Sequence, residues 1–141
     1  MNYTIDKTIA IAAPVDKVYE ALTTSELVVQ YYPVSEVISD WQVGSEIIGK
    51  GSIDGQSFTD YGKIDRLVKN KEFQYTYWST NHGTKRTPEN YLTISYTLSE
   101  IDKGTVLNLS QRNIKSEQTY SQMLLVWDFL LSSLKNFVEQ K

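Results

Sequence analysis

The sequence predicts an α+β domain in which a long C-terminal helix covers one face of an antiparallel sheet. From Ser116 to Gln140, apolar residues recur at steps of three and one, which places them on one face of a helix of roughly 36 Å. From Val34 to Asn113, alternating segments are separated by turn residues, as is typical of hairpin-linked strands. Such a sheet has one apolar face, and the last helix is the element expected to cover it. The helical positions that carry this prediction are Tyr120, Met123, Leu124, Trp127, Leu130, Leu131, Leu134, Phe137 and Val138.

The N-terminal part is predicted to hold one strand and two short helices. Residues 3–11 alternate as a strand does, and Pro14 is suited to opening a helix. Thr23 and Glu26 match the spacing of a capping box and predict a second helix. Pro33 should end that helix, because the residue before a proline resists the helical conformation.

Turn residues divide the middle of the chain into about six strands. Asp54-Gly55 is a hairpin signal, and Gly62 predicts a bulge or a close approach of two backbones. Residues 79–89 form a polar loop, and Ser116 is placed to cap the last helix. The predicted strands cover residues 37–38, 47–50, 58–67, 72–78, 90–100 and 105–113.

Composition points to a single globular domain over residues 1–141. Hydrophobic residues make up 40% and charged residues 22% of the 141 positions, which suits a domain with a real core. The formal charge of −3 and the scattered basic residues argue against binding of nucleic acid. The absence of cysteine excludes disulfides and thiol chemistry. The chain shows no secretory signal and no apolar stretch long enough for a membrane span, so a cytoplasmic location is expected.

Several motifs, in order along the chain, carry a resemblance to a known superfamily. They are Ile11–Thr23 ("IAAPVDKVYEALT"), Trp41–Ser45 ("WQVGS"), Gly62–Leu67 ("GKIDRL"), Phe73–Trp78 ("FQYTYW") and Gly104–Leu109 ("GTVLNL"). Together they resemble the START-like, helix-grip (SRPBCC, birch-pollen-allergen-like) superfamily. Within it, the chain is most similar to homologues of the activator of the 90-kDa heat-shock protein ATPase.

The resemblance implies a helix-grip fold, in which a curved antiparallel sheet of about six or seven strands wraps around the C-terminal helix. It also implies a cavity between sheet and helix that binds a small hydrophobic or lipid-like molecule. The chain departs from the family pattern at two places. Tyr31-Tyr32 stands where the family often has paired tryptophans, and Ser45 replaces the second glycine of its corner.

Strand parity selects the side chains that would line this cavity. Ten Tyr and three Trp beside only four Phe suggest an aromatic enclosure that is partly wet, because Tyr and Trp need a polar partner when buried. Close packing into an ordinary core is the alternative for each aromatic. Gly49 and Gly51 would leave room beside Phe58, and Asn113 should share the inward face of Gln111. The predicted ligand-binding residues are Tyr31, Tyr32, Trp41, Phe58, Asp60, Tyr75, Tyr77, Tyr96, Gln111, Tyr120, Met123 and Trp127.

Three functions remain open from the sequence. The first is binding of a small apolar or amphipathic ligand, under a mobile cover formed by Tyr31, Tyr32 and residues 79–89. The second is an enzyme of the cyclase or hydrolase type, with Asp60 as general base beside a tyrosine hydroxyl. The third, from the resemblance, is a protein-interaction module that contacts a heat-shock ATPase, and a homodimer is a further expectation. His82 is the only histidine, so no histidine-based metal cluster and no cofactor are predicted.

Overall fold

The computed structural model describes residues 2–140, which form seven strands and three α-helices. A single 3₁₀ turn, Pro88–Asn90, precedes the sixth strand. None of the helices in the described range is both long and apolar enough to cross a membrane. The elements are β1 (Tyr3–Ile11), α1 (Val15–Leu22), α2 (Ser25–Val28), β2 (Glu36–Ser39), β3 (Glu46–Ile53), β4 (Gln56–Val68), β5 (Glu72–Ser79), β6 (Leu92–Ile101), β7 (Gly104–Ile114) and α3 (Glu117–Glu139).

All seven strands belong to one antiparallel sheet. Its order is β1-β7-β6-β5-β4-β3-β2, so the meander from β2 to β7 is completed by β1 at the edge beside β7. In that last ladder Ile5 lies opposite Gln111 and Ile11 lies opposite Thr105. The predicted α+β helix-grip fold is confirmed, with two short helices after the first strand.

Helix α3 lies with its apolar face toward the sheet. All nine positions predicted from the periodicity are buried or half-buried, and Trp127 at the middle of the helix is only 1% exposed. The opposite face carries Leu125 and Phe129, which are 73% and 64% exposed. Apolar burial on one side therefore holds the helix in place.

Polar contacts fix both ends of α3. The Ser116 hydroxyl accepts a hydrogen bond from the Thr119 amide at 3.1 Å, which confirms the predicted cap. Near the other end, Glu139 accepts from the Ala12 amide at 2.7 Å and pairs with Lys135. These contacts tie the last turn of the helix to the end of β1.

The predicted capping box is wrong. Helix α2 covers only Ser25–Val28, and Thr24 precedes it without a side-chain capping bond. The Thr23 hydroxyl instead donates to the Tyr19 carbonyl at 2.8 Å, at the end of α1. Because that hydroxyl bonds to a carbonyl of the preceding helix, which also accepts from the Thr23 amide, it does not cap the next helix.

The predicted alternation of β7 fails at Asn113. This residue has a φ of 71°, in the left-handed region, which breaks the pleat. Its side-chain amide donates to the carbonyls of Glu89 and Tyr91, at 3.1 and 2.7 Å. The core position passes to Ile114, which is 1% exposed.

Glycine positions show where backbones approach closely. A Cβ at Gly62 would lie 1.9 Å from the Thr76 carbonyl oxygen of β5, so the alternative of close approach is confirmed there. The bulge in the β4–β5 ladder falls instead between Ile64 and Arg66. Gly51 does lie beside Phe58, as predicted.

Replacing Gly62 by Ala should destabilise the domain by about 1–3 kcal/mol or more, because strand backbone has to move away from the new methyl group. Urea unfolding measures this loss. Gly49→Ala is the matched control, since its new Cβ would meet its nearest neighbour at 3.6 Å, an ordinary contact. Equal unfolding midpoints for the two variants would contradict the close approach.

Candidate functional site

A cavity of about 60 Å³ lies between the sheet and the chain that runs from α1 to β3. Its floor is formed by strands β2 to β6, and its roof by α1, α2 and the segment that connects α2 to β2. Among the described residues, none from α3 lines it. The lining residues are Leu22, Val28, Tyr31, Tyr32, Val34, Val37, Trp41, Ile47, Gly49, Asp60, Phe73, Tyr75, Tyr77 and Tyr96.

Seven of the fourteen residues that line the cavity are aromatic. Phe73 is at its centre, with ring centroids 5.0 Å from Tyr75, 6.0 Å from Tyr96 and 5.8 Å from Trp41. Trp41 sits in the corner before β3 with a φ of 56°, and its indole nitrogen donates to the Ser25 hydroxyl at 3.0 Å. This hydrogen bond joins the corner to the start of α2, so wall and roof are held together.

Among the described residues, Asp60 is the only one that contributes a carboxylate to the cavity wall. It lies on β4 opposite Ser79 of β5 and opposite Gly49 of β3. Burial raises the pKa of this carboxyl, and a hydrogen bond from the Ser79 side chain opposes the rise. With no side chain at Gly49, open space is left beside the Asp60 carboxylate, whose Oδ2 would lie 3.8 Å from a Cβ built there.

The tyrosine hydroxyls are held neutral. Burial raises the pKa of the phenols of Tyr31, Tyr32, Tyr75, Tyr77 and Tyr96. Their protons are therefore retained near neutral pH, and each hydroxyl can donate one hydrogen bond and accept others. Tyr31 uses its donor on the Ala21 carbonyl at 3.0 Å. The Tyr77 hydroxyl accepts from Gln111 at 3.3 Å, which leaves its own proton for another partner.

Seven of the twelve predicted site residues come together in this cavity, and five do not. Those that line it are Tyr31, Tyr32, Trp41, Asp60, Tyr75, Tyr77 and Tyr96, whereas Phe58, Gln111, Tyr120, Met123 and Trp127 lie outside the wall. The difference arises because the Trp127 indole fills the space beneath the sheet. Its nitrogen donates to Gln111 Oε1 at 2.5 Å, and its ring packs edge-on against Tyr96 with centroids 6.1 Å apart.

The cavity is thus shifted from its predicted place next to α3 toward the short helices. Sequence reasoning missed the apolar roof, which comprises Leu22, Val28 and Val34, as well as Val37 and Ile47 on strands β2 and β3 of the floor. No pattern in the sequence distinguishes these side chains from ordinary core. Phe73 and Gly49 were recoverable, because strand parity places them on the inward face.

The loop of residues 79–89 touches the wall without lining it. His82 packs edge-on against Tyr77 at 5.3 Å, and its Nδ1 accepts a hydrogen bond from the Ser79 amide at 3.3 Å. Burial lowers the pKa of this imidazole, which favours its neutral form. Within residues 2–140, no group of three or more His, Asp or Glu could hold a metal ion.

Comparison with known proteins agrees with this architecture. The family model described as "Activator of Hsp90 ATPase homolog 1-like protein" matches residues 12–139. Among curated proteins, none matches the sequence.

Solved structures of similar proteins cover nearly the whole chain. ChR145 from Cytophaga hutchinsonii is 33% identical, with a TM-score of 0.84 over 97% of this chain and 94% of its own. The Aha1 dimer from Colwellia psychrerythraea is 23% identical, with a TM-score of 0.78 over 97% and 96% of the two chains. Ara h 8.0201 is 14% identical, with a TM-score of 0.79 over 98% of each chain, and shows the shared fold.

Asp60→Asn tests the electrostatics of the cavity through the pH dependence of stability. Because burial raises the pKa of Asp60, the native state binds its proton more tightly than the unfolded chain does. The stabilisation from this protonated carboxyl is complete below about pH 4 and is lost as the pH rises through the raised pKa. The variant should therefore melt higher than the parent at pH 7, by about 3 °C for each kcal/mol of relieved cost.

Thermal melts between pH 4 and pH 8 provide this measurement. The gain from Asp60→Asn should shrink toward zero at the acid end. Asp6→Asn, on the exposed side of β1, is the matched control and should show no such trend. A gain that is constant across the range would contradict the account.

Proposed function

Because this chain belongs to the family of activator of Hsp90 ATPase homolog 1-like proteins, whose fold is known for binding hydrophobic ligands, we propose that it binds a small hydrophobic or amphipathic molecule in the cavity beneath α2. The observation that carries this proposal is the aromatic wall with a single carboxylate. Apolar surface supplies contact area in such a pocket, and a few polar groups orient the ligand. Asp60 and the free proton of Tyr77 are suited to that second role.

In its closed form, the volume of the cavity limits the size of the ligand that it can hold. At about 60 Å³ it is well below the roughly 150 Å³ of an engineered cavity that binds benzene. A larger ligand therefore requires the roof to move. None of the residues from Ser25 to Pro33, which include the four-residue α2, is buried, so this segment is the part that should open at least cost. This places the proposed cover at Tyr31 and Tyr32, with residues 79–89 at its border.

Three indole N–H groups offer a direct test in solution. We expect 2-naphthol or 1-decanol, titrated into ¹⁵N-labelled protein, to shift the indole resonance of Trp41, which lines the cavity. The indole of Trp78 donates to Thr84 and stacks on Tyr61, on the other face of β5, and serves as the internal control. Gly49→Ala adds a methyl group inside the cavity without a clash and should weaken binding severalfold.

Two outcomes would count against the binding proposal. One is that neither probe shifts the Trp41 resonance below roughly millimolar concentration. The other is that both indoles respond equally, as they would to non-specific association.

A catalytic role is the second candidate, and the raised pKa of Asp60 beside the Tyr77 hydroxyl favours it. In that case Asp60 would act as a general base of a cyclase- or hydrolase-type reaction. Asp60→Asn would then abolish turnover of a bound compound while the Trp41 shift persisted. If Asp60→Asn abolished binding as well as turnover, the result would indicate that Asp60 binds the ligand and is not a general base.

A homodimer through the outer face of α3 is the partner proposal that the surface supports best. Leu125, Val126 and Phe129 expose an apolar patch there, and the similar protein from Colwellia psychrerythraea is described as a dimer. Light scattering should give twice the chain mass for the parent and the monomer mass for Phe129→Ser. Ser132→Ala on an exposed position of the same helix is the control, and equal masses for all three proteins would refute this interface.

Contact with a heat-shock ATPase rests on the family name alone. A pulldown of the purified ATPase with this protein measures it, and the Phe129→Ser variant reports whether the same face is used. Absence of binding at micromolar concentrations would remove this proposal without affecting the cavity.

A further inference from the structure

In the part of the chain that the structure describes, the cavity wall contains an acidic residue but no basic residue that could pair with it. Asp60 is its one acidic residue, and none of the lining residues is Lys, Arg or His. Within residues 2–140, the three ion pairs of the protein join other groups: Lys7 with Asp128, Arg66 with Glu72, and Lys135 with Glu139. Asp60 therefore faces the cavity without a cationic partner in the described part of the chain. A partly buried carboxylate in this state gains strongly from a positive charge brought into contact with it.

The remaining wall is suited to the same kind of ligand. Seven of the lining side chains are aromatic, and the face of an aromatic ring attracts a cation. A neutral hydrophobic molecule would use the rings but leave the carboxylate unpaired. An anion would be repelled by it. A neutral donor can hydrogen-bond to the carboxylate, but a cation gains more, because it also brings the opposite charge and is attracted by the ring faces.

We propose that the cavity binds an organic cation, with an alkylated ammonium group beside Asp60 and its alkyl substituents against the aromatic rings. This inference rests on the proposed function and specifies the chemical class of the ligand. Gly49 leaves the space next to the carboxylate open. The closed cavity of about 60 Å³ is too small for an alkylated ammonium group, so the roof has to move to admit the cation, as it does for any ligand of that size. Pairing with the cation would also offset the burial that raises the pKa of Asp60.

The proton of the Tyr77 hydroxyl adds a second point of recognition. Gln111 donates to this hydroxyl, so the phenolic oxygen is held while its proton is directed elsewhere. An ammonium group carries no acceptor, but a hydroxyl or ester oxygen next to it would accept this proton. Molecules that combine the two groups, such as choline or its esters, therefore match the cavity better than a simple tetraalkylammonium ion does.

Two probes of the same shape, one charged and one neutral, separate the effect of charge on affinity from the effect of shape. Choline and 3,3-dimethyl-1-butanol have nearly the same form, but only choline is charged. We expect choline to shift the Trp41 indole resonance with a dissociation constant at least about tenfold lower than that of the alcohol. Asp60→Asn, which keeps the shape of the side chain, should bring the two constants close together. Comparing the affinity for dodecyltrimethylammonium with that for choline then distinguishes a lipid-like ligand from a small, water-soluble ammonium ion.

The outcomes are distinct. Equal affinity for choline and the alcohol in the parent protein overturns the inference, and that comparison needs no variant. An affinity ratio that Asp60→Asn leaves unchanged overturns it as well, provided the variant melts cooperatively. Binding of 2-naphthol without binding of choline leaves the proposed function in place and removes the cation. If no probe of either kind binds, both fall.

Discussion

The hydrogen bond between the Trp127 indole and Gln111 determines how the rest of this structure is arranged. Both side chains are almost completely buried, so neither polar group could be left unpaired without a cost of about 1–3 kcal/mol. The bond joins the middle of α3 to β7 and so fixes where the helix lies along that strand. With the indole held there, the centre of the sheet is filled by protein. The aromatic cavity lies instead on the side where only short helices cover the strands.

The hydrogen bond between Trp127 and Gln111 is linked to the cavity through one further residue, Tyr77. Gln111 accepts from Trp127 and donates to the Tyr77 hydroxyl, so its two amide atoms face the helix and the cavity. The rotamers of an indole, an amide and a phenol are therefore set together. The helix thus influences the cavity without lining it, by orienting a hydroxyl of the wall. The roof is controlled separately, through the bond from Trp41 to Ser25.

Local patterns predicted the elements of this fold well and the position of the empty space less well. The periodicity of α3, the hairpin turn at Asp54-Gly55 and the alternation of β6 are short-range signals, and each is present in the structure. Parity also gave the inward set of β4 and β5, which contributes four of the fourteen lining residues. Strand parity failed at Asn113, because its left-handed backbone conformation changes which side chains of β7 face inward. Which large side chain fills the interior depends on contacts between Trp127 and residues far away in sequence, and no periodicity encodes them.

The position of β1 has a consequence for how the domain is made. Its ladder partner is β7, with Ile5 opposite Gln111, so β1 finds its neighbour only after about a hundred further residues have been synthesised. Until then its backbone groups have no sheet to join, and the meander from β2 onward must assemble without it. Closing a loop of about a hundred residues is slow compared with forming hairpins. While those residues are being synthesised, β1 therefore stays unpaired and exposed to other chains.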